Sequence, residues 1–242
     1  MAQQSAMEHS SRAVQEHEGK PMILALDNHI GRKKAGAKDA YDYDAPEYRI
    51  LEPVVTDEMA EVCMTMAIRE KVTAETVSER CGKSVAECQR ILLELADVGV
   101  CFVNTINGKD TFWYDTWVPG IMEMMTNHPT NAKKYPQIAE AFEAYGRVRG
   151  AKTAGLTPVG IGLMRVIPIQ QAIDGESRRA SYEELSKHIE EHDIFSVSNC
   201  SCRTVREVMG EGCGHLKEDM CIQMGHAAEY YIRTGRGRKV EK

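Results

Sequence analysis

The chain has 242 residues, a formal net charge of −6 and 43% hydrophobic residues. That is enough apolar matter for one or two domains with a sizeable core. The acidic balance argues against wholesale nucleic-acid binding, which needs basic surface against phosphate, and no apolar run approaches the ~20 residues of a membrane span.

The first twenty residues, MAQQSAMEHSSRAVQEHEGK, are polar and lack the apolar core of a secretory signal, so they read as a disordered tail. Eight cysteines without a signal then point to a reducing, cytoplasmic setting, where thiols bind metals or pack as small apolar groups. Residues 21–55 carry no obvious chemistry. PMILALDNHI fits a short strand or buried segment, GRKKAGAKDA a basic loop, and AYDYDAPEYRI a polar connector. Residues 1–50 are therefore expected to form a partly disordered N-terminal arm, with 21–55 wrapped on the surface of its own domain or, as the alternative, serving as a partner-binding arm.

Residues 56–118 are more legible. Thr56 caps a helix beginning DEMAEVCMTMAI, with Met59, Val62, Cys63, Met66 and Ala67 at helical spacing. Thr73 starts a second helix, which Gly82 closes. Ser84 opens a third with the S-x-x-E capping pattern; Val85, Cys88, Ile91, Leu92 and Leu95 form its apolar face and Gly99 its end. VCFVNTINGKDTFWYDTW is a hairpin turning at Asn107-Gly108. Three helices and a hairpin over 51–120 predict a winged-helix domain. Its third helix carries Glu87, Arg90, Glu94 and Asp97, a poor set for a DNA-reading helix, so a packing or docking role is expected. Cys63, Cys81, Cys88 and Cys101 lack paired spacing and read as core thiols.

Residues 121–160 read as a helical linker: the turn VPGIMEMM, a helix firm from 136 to 149, and a breaker-rich stretch around Pro158, Gly160 and Gly162. Residues 161–242 read as a small α/β domain. LMRVIPIQQAI and IFSVSNC are its strands, Ser181 caps a surface helix, TVREVMG is a helical turn, and CIQMGHAAEYYIRTGRG is a helix from about 221 to 234.

The chemistry concentrates in this last domain. Cys200, Cys202, Cys213 and Cys221 follow the spacing C-x-C-x10-C-x7-C. An extended strand end would turn Cys200 and Cys202 to one side. Gly212 and Gly214 let the backbone turn tightly around Cys213, and a helix start at Cys221 would favour negative charge. Four converging thiolates suit an iron–sulfur cluster or a structural zinc. Zinc prefers paired C-x2-C knuckles, which this spacing lacks. Spacing alone leaves iron–sulfur, zinc and unligated thiols open. Arg203, His215 and the N–H groups opening the last helix are candidates for tuning a bound cluster; His226 reads as a core or supporting residue.

Ser196–Val240 resembles the cysteine-rich segment of anaerobic bacterial and archaeal iron–sulfur proteins, the 4Fe-4S ferredoxin-type proteins and FAD-dependent pyridine-nucleotide oxidoreductases. The pattern is C-x-C-R, then G-x-G-C, then a Cys-led helix ending in G-x-G-R. The likeness runs upstream through RVIPIQQAI, VPGIMEMM and the winged helix, over about residues 50–240. It implies an α+β protein with one 4Fe-4S cluster on Cys200, Cys202, Cys213 and Cys221, passing single electrons within a flavin- and NAD(P)-linked oxidoreductase. Longer members continue into ferredoxin-type clusters and flavin domains. No G-x-G-x-x-G dinucleotide fingerprint follows a strand here. The resemblance therefore implies FAD and NAD(P) on a partner subunit or a further C-terminal domain, and no catalytic site in this chain. The competing expectation is a non-enzymatic winged-helix regulator or scaffold holding zinc or a cluster.

Overall fold

The computed structural model describes residues 19–34, 36–150 and 185–242. The fold is α+β; the described residues form helices and two small antiparallel sheets. Proline sets the start of the first two helices, α1 (Pro21–Ile30) and α2 (Pro46–Leu51), where its missing N–H costs nothing and its fixed φ favours the helix. PMILALDNHI is thus a helix, and Ile23, Leu26, Ile30, Ile50 and Leu51 lie in the main core. The stretch expected to wrap over the surface contributes to the interior.

α3 (Asp57–Cys63) begins where Thr56 Oγ1 accepts the Met59 N–H at 3.2 Å. It ends before the expected Met66–Ala67, although Met66 is still buried. α4 (Ala74–Cys81) stops at Gly82 and α5 (Val85–Val98) at Gly99, both left-handed. At the start of α5 the capping box is complete: Ser84 Oγ accepts from Glu87 N, and Glu87 Oε2 accepts from Ser84 N at 3.0 Å.

β1 (Phe102–Ile106) and β2 (Lys109–Trp113) pair antiparallel across Asn107 and Gly108, both at positive φ, as a tight hairpin turn requires. Val72 adds one bridge to Phe112. Two short helices, α6 (Met122–Thr126) and α7 (Asn131–Lys134), lead to α8 (Pro136–Tyr145), which packs on α2. A wider turn over Gly146–Gly150 completes the stretch expected to be helical to 149.

The 163–169 strand and the Ser181 cap lie outside the described residues. Of the helix assigned to SYEELSKHIEEHD, the described part is α9 (Leu185–Glu190). β3 (Phe195–Ser198) is the centre of a three-stranded sheet, between β4 (Cys221–Met224) and β5 (Gly237–Val240). α10 (Ser201–Val208) follows β3, and α11 (His226–Arg233) joins the two edge strands.

Two expectations change here. Cys221 stands on a strand, because β4 pairs with all of β3 and Gly225, at φ +60°, breaks the chain before the helix. The tail GRKV, given no element by its composition, becomes β5 by pairing on the other side of β3.

α11 ties this sheet to the hairpin. Tyr230 joins the main core and its hydroxyl donates to the Ala96 carbonyl at 2.7 Å. Arg233 grips Asp110 of β2 with two bonds of 2.8 Å. Asn104 of β1 donates to the His226 carbonyl, and the Thr105 N–H to Glu229, each at 3.0 Å. Buried Arg236 donates to the Met124 carbonyl at 2.8 Å. No helix among the described residues is long and apolar enough to cross a membrane.

Candidate thiol centre

Sheet register brings two distant cysteines together. Ser198, the last residue of β3, lies opposite Cys221. Two residues later Cys200 occupies the N-cap of α10, and Cys202 falls in its first turn. The extended i, i+2 geometry expected for this pair is replaced by a helix start, since Asn199 and Cys200 end the ladder and the chain turns at once into SCRTVREV.

Cys200 lies near enough to Cys202 and Cys221 for its thiol to act on the ionisation of both. Partial burial raises the pKa of half-buried Cys221, and the Cys200 thiol raises it further; Cys202 is exposed, and partial desolvation together with the Cys200 thiol raises it in the same direction. One influence opposes this at Cys221: the Ser201 backbone N–H, in the first turn of α10, lies near its sulfur and favours the thiolate. The helix N-terminus facing these thiols is therefore that of α10, rather than that of the last helix. The Cys200 N–H donates to the Lys217 carbonyl at 2.8 Å, which folds the 209–220 loop back over the start of α10.

Cys213 stands apart. It is exposed on that loop, and Gly214 beside it adopts φ +74°. It lines a hollow of about 410 Å³ together with Arg203, His215 and Lys217. Arg203 donates to the Leu216 carbonyl, so it braces the loop. Arg203 and His215 thus accompany Cys213, while Cys200, Cys202 and Cys221 form the nearer group. Among the described residues, no three His, Cys, Asp or Glu side chains converge on a single point as a metal ion would require.

The donor set still suits a sulfur-ligated group. Cys200, Cys202 and Cys221 lie around the start of α10, whose N-terminal N–H groups favour negative charge, and the fourth cysteine sits on a glycine-flanked, exposed loop held to that start by the Cys200–Lys217 bond.

The thiols also rest on supports that sequence reasoning missed. Ser201, between the two cysteines, is buried, and its hydroxyl accepts from Asn127 Nδ2 at 3.2 Å; Asn127 also donates to Tyr231 Oη at 3.2 Å. Glu123 carries a carboxyl close enough to Cys202 to disfavour its thiolate. Burial raises the Glu123 pKa, while the Gly120 N–H, donating at 2.7 Å, works against that. The signal available in the sequence was one acid in an otherwise apolar run, VPGIMEMM.

The remaining cysteines pack as expected: Cys63, Cys88 and Cys101 are fully buried, and Cys81 is partly so. No protein-family model, no curated protein and no solved structure matches this chain.

Proposed function

We propose that this chain is an iron–sulfur electron-transfer module of an anaerobic, cytoplasmic, flavin- and NAD(P)-linked oxidoreductase. The observation that carries the reading is the grouping of Cys200, Cys202 and Cys221 around the start of α10, with Cys213 on the adjoining loop. These four cysteines would hold one 4Fe-4S cluster, which exchanges single electrons when bound. Helix N–H groups stabilise the negative charge of such a thiolate-ligated cluster. Arg203 and His215, beside Cys213, add positive or hydrogen-bonding groups that tune its potential. The same sequence segment carries the resemblance to anaerobic iron–sulfur proteins.

An electron relay must meet its donor and acceptor. The rim of the centre supports docking: Leu216, Met220 and Ile222 are exposed apolar side chains, with Leu216 74% exposed. The proposed partner is the flavin-containing subunit or domain, which would carry FAD, the NAD(P) site and further ferredoxin-type clusters. The helices α3, α4 and α5 with the β1–β2 hairpin we read as a winged helix used for packing. Its hairpin is engaged by α11, and Arg90 of α5 is held by Glu58 and Glu94. Those contacts favour an internal docking role over DNA reading.

The test is metal content after anaerobic purification of the full chain. The expected protein is brown, absorbs broadly near ~400 nm and bleaches with dithionite. Cys213→Ser should lose iron, and Cys88→Ser should keep it. A colourless protein holding one zinc would refute the reading in favour of a zinc-bearing regulator or scaffold. Equal iron loss in both variants would refute the ligand assignment.

A further inference from the structure

A second thiol pair lies far from this centre in sequence. Cys81 is the last residue of α4 and Cys88 lies in the first turns of α5, and their sulfurs are 3.5 Å apart. The two differ in access: Cys81 is partly exposed, while Cys88 is completely buried. Three residues, Gly82 to Ser84, join the helices. Gly82 is left-handed, and a side chain there would meet nothing within 4 Å, so no neighbouring group crowds this turn.

The Cys63 and Cys101 thiols are also neighbours, and the Cys63 thiol raises the Cys101 pKa, but both are fully buried. Of the two pairs in this region, only Cys81–Cys88 has one thiol that an oxidant can reach.

We propose that Cys81 and Cys88 form a redox modification site, closing to a disulfide when the protein meets a peroxide. The sulfurs must approach from 3.5 Å to about 2.05 Å, a movement within reach of side-chain rotation. Cys81, as thiolate, attacks one peroxide oxygen. The O–O bond breaks, hydroxide leaves and is protonated to water, and Cys81 becomes a sulfenic acid. Cys88 then attacks the Cys81 sulfur. The S–S bond forms, the S–O bond breaks, and the departing hydroxide takes the Cys88 proton as a second water. Two thiols are oxidised and one peroxide is reduced to two waters. Burial and the adjacent Cys81 thiol hold Cys88 up at about 11, so Cys88 stays a thiol until the exposed sulfur has reacted, and its part as the resolving thiol rests on the 3.5 Å separation. The product links the end of α4 to the capped start of α5. It needs no iron, so its failure and the failure of the iron–sulfur reading are distinguishable.

The sequence makes the site readable by mass. Trypsin releases Cys81 in CGK (81–83) and Cys88 in SVAECQR (84–90). The full chain is treated with one equivalent of hydrogen peroxide under native conditions, alkylated in denaturant and digested without reductant. CGK linked to SVAECQR is expected, about 2 Da below the summed peptide masses, and should disappear with dithiothreitol. Cys63 and Cys101 should be recovered alkylated. Cys81→Ser should leave Cys88 alkylated. Recovery of Cys88 alkylated in the unmutated protein would overturn the proposal, as would Cys88 linked to other cysteines as often as to Cys81. Cys63 and Cys101 oxidising at the same peroxide dose would also overturn it, because access would then not discriminate the pairs.

Discussion

Asp27 offers a quantitative test of the core. It sits on α1 with no exposed surface, and neither carboxylate oxygen has a hydrogen-bond partner among the described residues. Burial raises its pKa to about 9; Glu47 and Asp42 push the same way and Arg149 opposes them. The folded protein therefore holds Asp27 protonated at neutral pH, whereas the unfolded chain, near the ordinary 3.8, does not. Folding takes up a proton between about pH 4 and pH 9. The stabilising contribution is fully present below the unfolded pKa and is lost as pH rises through the folded one. Each pH unit costs about 1.4 kcal/mol, so by pH 7 the cost is ~4 kcal/mol. Asp27→Asn removes the ionisation while keeping the shape. Urea unfolding at pH 5 and pH 8, read as ΔG with the slope m compared, should show the variant gaining on the parent by up to about 4 kcal/mol across that interval. Parallel pH dependence of the two proteins would refute the reasoning, because Asp27 would then be solvated or paired in solution.

Gly99→Ala should cost more than about 2 kcal/mol, since Gly99 has φ +99° and an added Cβ would stand 2.8 Å from the Met124 carbonyl carbon and the Met125 nitrogen. Gly82→Ala shares the positive φ but faces open space, so about 1 kcal/mol is expected; denaturation midpoints of the two variants check the contrast. Tyr230→Phe removes the buried bond to the Ala96 carbonyl and should cost about 1 kcal/mol, measured by urea unfolding at unchanged m.

The elements most legible in sequence are those whose signals are local. Thr56, Ser84, Gly82, Gly99 and the Asn107-Gly108 turn sit where the structure uses them, because capping and positive φ depend on neighbours a few residues away. The errors fall where partners are distant. CIQM carries nothing that forbids a helix; its strand state comes from pairing with FSVS more than twenty residues upstream. PMILALDNHI offers too little periodicity to separate strand from helix, and its burial against the rest of the core decides the outcome.

The same division runs through the thiols. Sequence alone determined that this chain carries four cysteines in C-x-C-x10-C-x7-C spacing, with glycines around the third, and so defined the chemical repertoire of the centre. Tertiary structure decided how they group. Antiparallel register sets Cys221 opposite Ser198 and beside Cys200, the α10 N-terminus supplies the N–H groups, and Cys213 keeps company with Arg203 and His215 on the loop. Strand register and loop return are set by contacts between residues far apart in the chain, and such contacts leave no mark in the spacing of the cysteines themselves.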